Sequence, residues 1–351
     1  MNASRGRWVA ACMALLIGAP AGAAGCDVNE LEIPVRIVNQ RPIGTLTLNG
    51  VEVPMLIDSG AFFSMLPVST ATQLGLQLRS LPAGFRVYGY SGRIEARMTK
   101  VEKVGLQGKV LRNIEFLVGG NELGSGIMGV LGRNFLSIAD TEYDLAHGVV
   151  RLMFPKGDCD NVNFADWAGD APIIEAELES NVRDKGTQIR VAVKVNGVGM
   201  RAMLDTGAPG TALKLSAAKR AGVKEGDLTE AARTGGAGQQ RLRSWTGQLA
   251  SFELGGEKIL NNALQIDDTD HLHDDMLIGL DYFLSHRIYV SRLQNKLYAT
   301  WNGVPVFALG VARPLRRAAS SPRRWPTWTA PASWRPRPRP TSWRGRGCIW
   351  R

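Results

Sequence analysis

The chain has 351 residues, 44% of them hydrophobic and 21% charged, with 40 glycines and a formal net charge of +10. Length suggests about two domains, the glycine content favours turn-rich β structure over a helical bundle, and the composition excludes a disulfide-dense miniprotein, a collagen and a wholly disordered chain. The charge does not describe a nucleic-acid-binding surface: eleven arginines lie in residues 313–351 without one acid, Arg5 and Arg7 start the chain, and removing these thirteen leaves about −3 for the rest.

Residues 1–26 read as a secretory signal. Arg5 and Arg7 form its charged start, residues 8–17 its apolar core, and Ala21-Gly22-Ala23-Ala24 a small-residue cleavage region. The expected location is therefore exported, periplasmic or secreted. The apolar run is shorter than the roughly 20 residues a spanning helix needs, and no later run is longer, so no transmembrane helix is expected. Cys26 has two readings. It stands where a lipoprotein signal places its lipidated cysteine, although the usual aliphatic residue three positions earlier is missing. It is also, with Cys159, one of the only two cysteines outside the signal and the tail, and an exported chain can oxidise such a pair.

Leu31, Ile33, Val35 and Ile37 alternate along a strand. Asn49-Gly50 joins two alternating runs at 45–48 and 51–57, and Asn196-Gly197 joins runs at 189–195 and 198–204. Asn-Gly is a strong hairpin signal because both turn residues take positive φ. Short helices are expected at 68–74, at 215–221, and just after Gly132 and Gly279. Residues 155–172, rich in Pro, Gly, Asp and Asn, read as a linker between a first lobe at 27–154 and a second at 173–302. From 313 to 351 seven prolines and five tryptophans accompany the arginines without periodicity, so this tail is expected to be disordered. An Arg-Trp tail suits anionic lipid or nucleic acid, but the sharp break in composition near Pro314 favours an out-of-frame or mis-annotated terminus without a role.

The strongest signal is a repeat at an offset of 147. Met55-Leu56-Ile57-Asp58-Ser59-Gly60-Ala61 aligns with Ala202-Met203-Leu204-Asp205-Thr206-Gly207-Ala208, and Val130-Leu131-Gly132-Arg133-Asn134 aligns with Leu277-Ile278-Gly279-Leu280-Asp281. Asp58 precedes Gly132 by 74 residues, and Asp205 precedes Gly279 by the same interval. A single Asp-Ser/Thr-Gly triplet reads as a turn in which Asp bonds its own backbone. Two in register, each followed by an apolar pair and glycine at one spacing, point to a duplicated half-site. The fold expected is all-β with minor helices, two β-barrel lobes in one chain.

With these residues in view, the chain resembles a retropepsin-like aspartic protease in the bacterial form that fuses two lobes. Asp-Thr-Gly-Ala is the retropepsin form of the active-site loop, and the apolar-apolar-Gly-Arg-Asn segment at 130–134 is similar to a later segment of retroviral proteases. The likeness spans residues 31–302. It implies that Asp58 and Asp205 form a catalytic pair, one from each lobe, and that the Ser59 and Thr206 hydroxyls cross-link the loops beneath them. The residue types suit the chemistry. Two carboxylates about 3 Å apart cannot both ionise, so they share one proton: one takes a proton from water while the other polarises the scissile carbonyl. Gly60 and Gly207 let the backbone approach the carboxylates. Ala61 and Ala208 supply no hydroxyl to favour the ionised form, which sets the expected optimum near about pH 5–6. A cover for the substrate is expected at Val87-Tyr88-Gly89-Tyr90-Ser91-Gly92, an aromatic flap, opposite a Gly-rich loop at 234–238.

Other signals are set aside. Gly124-Ser125-Gly126-Ile127-Met128-Gly129 matches a dinucleotide pattern but lacks the strand before and the helix after. Residues 267–275, rich in Asp with His271 and His273, read as a solvated acidic loop without calcium spacing. His147 and His286 read as structural or exposed. No cofactor and no metal are expected. The expected protein is a monomeric endopeptidase acting on peptides or unfolded proteins, with a catalytically silent peptide-binding or scaffold protein on the same fold as its rival.

Overall fold

The two Asn-Gly turns each open a barrel. The computed structural model describes residues 25–124, 126–179, 187–238, 240–270 and 272–307; most of the expected signal at 1–26 and all of the expected tail at 313–351 lie outside them. Asn49 and Gly50 have φ of 50° and 90°, Asn196 and Gly197 of 50° and 79°, the geometry that a two-residue hairpin turn with the twist of its strands requires. The first barrel runs, neighbour to neighbour, through Pro42–Leu48, Val51–Ile57, Gly129–Leu131, Met65–Leu66, Lys109–Gly119 and Ala96–Leu106, and closes by pairing Thr47 with Gly105. The second repeats this order with Arg190–Val195, Val198–Leu204, Met276–Ile278, Ala212–Lys214, Glu257–Asp267 and Ser244–Leu254, and closes at Val195 and Phe252. Alternating residues fill each interior: Leu46, Leu48, Val53, Met55 and Ile57 in one, Val191, Val193, Val195, Ala202 and Leu204 in the other.

A six-stranded antiparallel sheet lies between the barrels. Its order is Ile174–Glu177, Lys296–Trp301, His286–Ser291, Asp140–Asp144, Val149–Lys156 and Asp27–Ile37, three strands from each half. At its centre Thr141, Glu142 and Tyr143 pair with Val290, Tyr289 and Ile288. Glu142 is buried there and bonded to Arg151 and Arg287, so the seam is held by charge as well as by backbone. Buried side chains of both barrels and of this sheet form one continuous core.

The short helices are Val68–Gln73, Arg133–Leu136, Leu215–Arg220 and Leu280–Ser285. Cys26 and Cys159 form a disulfide. The segment 267–275 is only in part the solvated acidic loop expected: Asp268, Asp270 and His273 are exposed, but Asp267 and Asp274 are buried. Asp267 ends a barrel strand facing inward at 0% exposure, and Asp274 is 2% exposed, its carboxylate gripped by Arg190 Nε at 2.9 and 3.0 Å. Donors surround each of these buried carboxyl groups; His271 lies outside the described residues. His286 is buried with Nε2 3.0 Å from Glu257 Oε1, whereas His147 is mostly exposed beside Asp144.

Candidate active site

The equal 74-residue spacings have a structural cause. Strand Val51–Ile57 runs parallel to Gly129–Leu131, with Ile57 beside Leu131, and the Asp58 N–H donates to Leu131 O at 3.0 Å. In the second barrel Leu204 lies beside Ile278, and the Asp205 N–H donates to Ile278 O at 2.8 Å. The glycine that follows must be small: a Cβ on Gly132 would sit 2.6 Å from the Phe63 carbonyl carbon, and one on Gly279 would sit 2.4 Å from the Gly210 carbonyl carbon. Their N–H groups donate to Ser64 Oγ at 2.9 Å and Thr211 Oγ1 at 3.0 Å, and those hydroxyls bond Asn134 and Asp281. The repeated apolar-apolar-Gly motif is thus a clamp under each Asp loop.

The two loops meet beneath the carboxylates through four reciprocal bonds. The Ser59 N–H donates to Thr206 Oγ1 and the Thr206 N–H to Ser59 Oγ, each at 3.0 Å; Ser59 Oγ donates to Leu204 O at 3.0 Å and Thr206 Oγ1 to Ile57 O at 2.7 Å. Both residues have 0% exposure. Each hydroxyl both donates and accepts, so the ring of bonds is complete with Ser at one position and Thr at the other.

Above this floor the half-buried Asp58 and Asp205 side chains face each other. A Cβ on Gly60 would fall 2.3 Å from Asp205 Cγ, and one on Gly207 would fall 2.4 Å from Asp58 Cγ, so each glycine makes room for the opposite lobe's carboxylate. The site is not symmetric. Asp58 Oδ1 accepts N–H bonds from Gly60 at 2.9 Å and Ala61 at 2.7 Å; Asp205 Oδ1 accepts one from Gly207 at 2.8 Å. Desolvation raises the Asp58 carboxyl, against its hydrogen bonds and the nearby Arg133 cation. Desolvation, followed by the charge of Asp58, holds Asp205 well above the usual carboxylate range. Both carboxyls are thus held above the ordinary carboxylate range, as two acids that share one buried site require.

The residues expected to form a flap take different positions. Val87–Gly89 and Gly92–Ile94 form a hairpin on which Tyr88 is 52% exposed. Tyr90 crosses to the second barrel, where its hydroxyl donates to Asp267 Oδ2 at 2.5 Å. Gly89 packs against the facing loop so tightly that a Cβ would lie 2.2 Å from Ala237 O. The Ser91 N–H donates to Ala237 O and the Gln240 N–H to Ser91 O, both at 2.9 Å. The Gly-rich loop is thus the flap's docking partner. Asp267 is the residue of this contact that sequence reasoning missed, because it stood in an acid-rich run. Among the described residues no group of three or more His, Cys, Asp or Glu side chains could hold a metal, and no helix is long and apolar enough to cross a membrane.

No curated protein matches the chain significantly. Among solved structures, basic 7S globulin from soybean is similar, with 13% identity and a TM-score of 0.43 over 81% of this chain and 99% of that one. The profile described as "Aspartyl protease" matches twice, at residues 44–135 and 191–282, each match holding one Asp loop and its glycine clamp. With these two matches spanning just over half of its length, the chain belongs to the aspartyl protease family.

Proposed function

We propose that the protein is an active aspartic endopeptidase in which Asp58 and Asp205 hydrolyse peptide bonds through an activated water. The observation that supports this reading is the meeting of one carboxyl from each barrel, so close that a Cβ on Gly60 would fall 2.3 Å from Asp205 Cγ and one on Gly207 2.4 Å from Asp58 Cγ. Asp58, ionised, takes a proton from a water as its oxygen adds to the scissile carbonyl carbon. Asp205 gives its proton to the carbonyl oxygen, which avoids a free oxyanion. The resulting diol collapses: Asp58 returns its proton to the leaving nitrogen, Asp205 regains one from a diol hydroxyl, and the C–N bond breaks. No covalent enzyme intermediate is needed. An extended peptide would lie between the dyad and the aromatic hairpin, with backbone bonds giving affinity and alternate side chains giving selectivity.

The reading extends to context. Both halves of the dyad come from one chain, which supports function as a monomer. The secretory character of residues 1–26 and the Cys26–Cys159 bond support export to an oxidising compartment. The test is hydrolysis of an unfolded protein across about pH 3–7, a window set around the carboxylate pKa values. Pepstatin-sensitive cleavage is expected, with a bell-shaped profile peaking at about pH 5–6 because Ala61 and Ala208 supply no hydroxyl to favour the ionised form. Asp58→Asn and Asp205→Asn should each remove turnover by about a thousandfold or more. Tight peptide binding without cleavage anywhere in that range would instead assign a silent binding protein.

A further inference from the structure

Tyr90 fills a pocket that it does not build. The walls all come from the second barrel: Met203, Leu277 and Leu272 are buried, and Ala208 and the Tyr90 ring pack against them. Ala208 belongs to the Asp205 loop, and Leu277 pairs with Met203 in the strand register that delivers Asp205. Gly236 forms a flat side, where a Cβ would be 2.9 Å from Tyr90 Cβ and 3.2 Å from its Cδ1. At the end lies Asp267, fully buried, which accepts from Tyr90 Oη at 2.5 Å, Ser244 Oγ at 2.6 Å, Gln265 Nε2 at 2.7 Å and Thr234 Oγ1 at 3.3 Å. All four donors are neutral.

An extended peptide laid across the dyad projects alternate side chains to one face, and the wall residue Ala208 sets this pocket beside the Asp205 loop. We infer that the pocket is a substrate side-chain subsite selective for tyrosine, and that Tyr90 occupies it as an internal stand-in until a peptide displaces it. The inference rests on the hydrolase reading above. When Tyr90 leaves, the buried Asp267 carboxylate loses a donor, and the incoming side chain must replace it. Tyrosine restores both the ring contacts and the hydrogen bond. Phenylalanine fits the walls but leaves the carboxylate short of a donor. Leucine leaves space, and lysine reaches the carboxylate without filling the flat slot against Gly236. The same displacement makes the flap a gate, since occupancy by Tyr90 lowers apparent affinity in proportion to the closed population.

The experiment uses the full exported chain and matched peptides that carry Tyr, Phe, Leu or Lys at each residue flanking the scissile bond. At one flanking position kcat/KM for Tyr should exceed that for Phe by roughly ten- to a hundredfold. Asp267→Leu should bring that ratio close to one. Tyr90→Phe keeps the ring, loses the bond to Asp267, and should lower KM for the Tyr peptide several-fold while the preference persists; it also serves if Asp267→Leu does not fold. Equal rates for Tyr and Phe at both positions, or Lys ahead of Tyr, would overturn the tyrosine assignment. An unchanged KM in Tyr90→Phe would overturn the stand-in role. Peptide affinities measured on Asp205→Asn separate the two readings: tyrosine-selective binding without turnover in the parent protein sustains the subsite and defeats the hydrolase, whereas unselective cleavage does the reverse.

Discussion

At the scale of single residues, the dyad is a place where function and stability oppose each other. Asp205 has a carboxyl raised in the folded state by desolvation and by Asp58. A group raised on folding binds its proton more tightly folded than unfolded. The stability it contributes is therefore full below the unfolded value near pH 4, and is lost as pH rises through the folded one. Asp205→Asn removes that liability and keeps the shape. It should leave the melting temperature nearly unchanged at pH 4 and raise it at pH 7, while turnover disappears. Gly60→Ala should also abolish turnover, with the opposite effect on stability. Its Cβ would need the space of the Asp205 carboxyl, 2.3 Å away, and overpacking of that kind costs about 1–3 kcal/mol at either pH. Thermal melts of both variants at the two pH values test the contrast; a loss of stability in Asp205→Asn at pH 7 would show that the pair is not strained by its own charge.

At the scale of elements, what was legible in the sequence was what the chain specifies locally. The Asn-Gly hairpins, the apolar strands that end in Asp, and the short helices after Val68, Gly132, Leu215 and Gly279 all depend on neighbours in sequence. The repeat made the dyad legible as well, because two copies of one loop in one register imply a twofold relation. Asp267 was illegible for the opposite reason. Its neighbours Asp268, Asp270, Asp274 and Asp275 suggest solvent, but the side chain faces Ser244, Gln265 and a tyrosine 177 residues away. Nothing local encodes that inward turn. The central pairing of Asp140–Asp144 with His286–Ser291 is likewise a contact between segments each of which reads as an ordinary strand. A matched pair of substitutions tests how far local geometry alone sets stability. No heavy atom lies within 4 Å of a Cβ built on Gly197 or on Gly199, so crowding is absent at both. Gly197 has φ of 79° and Gly199 sits in the following strand. Gly197→Ala should cost about 1–2 kcal/mol through its left-handed backbone. Gly199→Ala should be neutral or gain about 0.5–1 kcal/mol by restricting the unfolded chain. Urea titrations check both; equal effects would mean that the turn is not held in the positive-φ geometry.

At the scale of the whole molecule, two devices hold the halves in the register that the dyad needs. One is the six-stranded sheet, whose central strand pair comes from opposite halves. The other is the loop cross-link of Ser59 and Thr206. The Cys26–Cys159 bridge belongs to neither. It joins the residue before strand Asp27–Ile37 to the segment after Val149–Lys156, and these strands already pair from Asp27 with Lys156 onward. In the folded protein it fastens ends that the sheet has brought together, so its removal should leave the distant dyad loops where they are. Its larger effect is on the unfolded chain, where it closes a loop across a sequence separation of 133. The chain-entropy model gives about 5 kcal/mol for such a loop. Cys26→Ser combined with Cys159→Ser, or reduction of the parent protein, should therefore lower the free energy of unfolding by an amount of that order. The catalytic rate at 25 °C and its pH profile should not change. Guanidinium titrations and turnover measured on the same preparations check both halves of the statement. A drop in turnover matching the drop in stability would mean that the bridge, and not the sheet, sets the distance between Asp58 and Asp205.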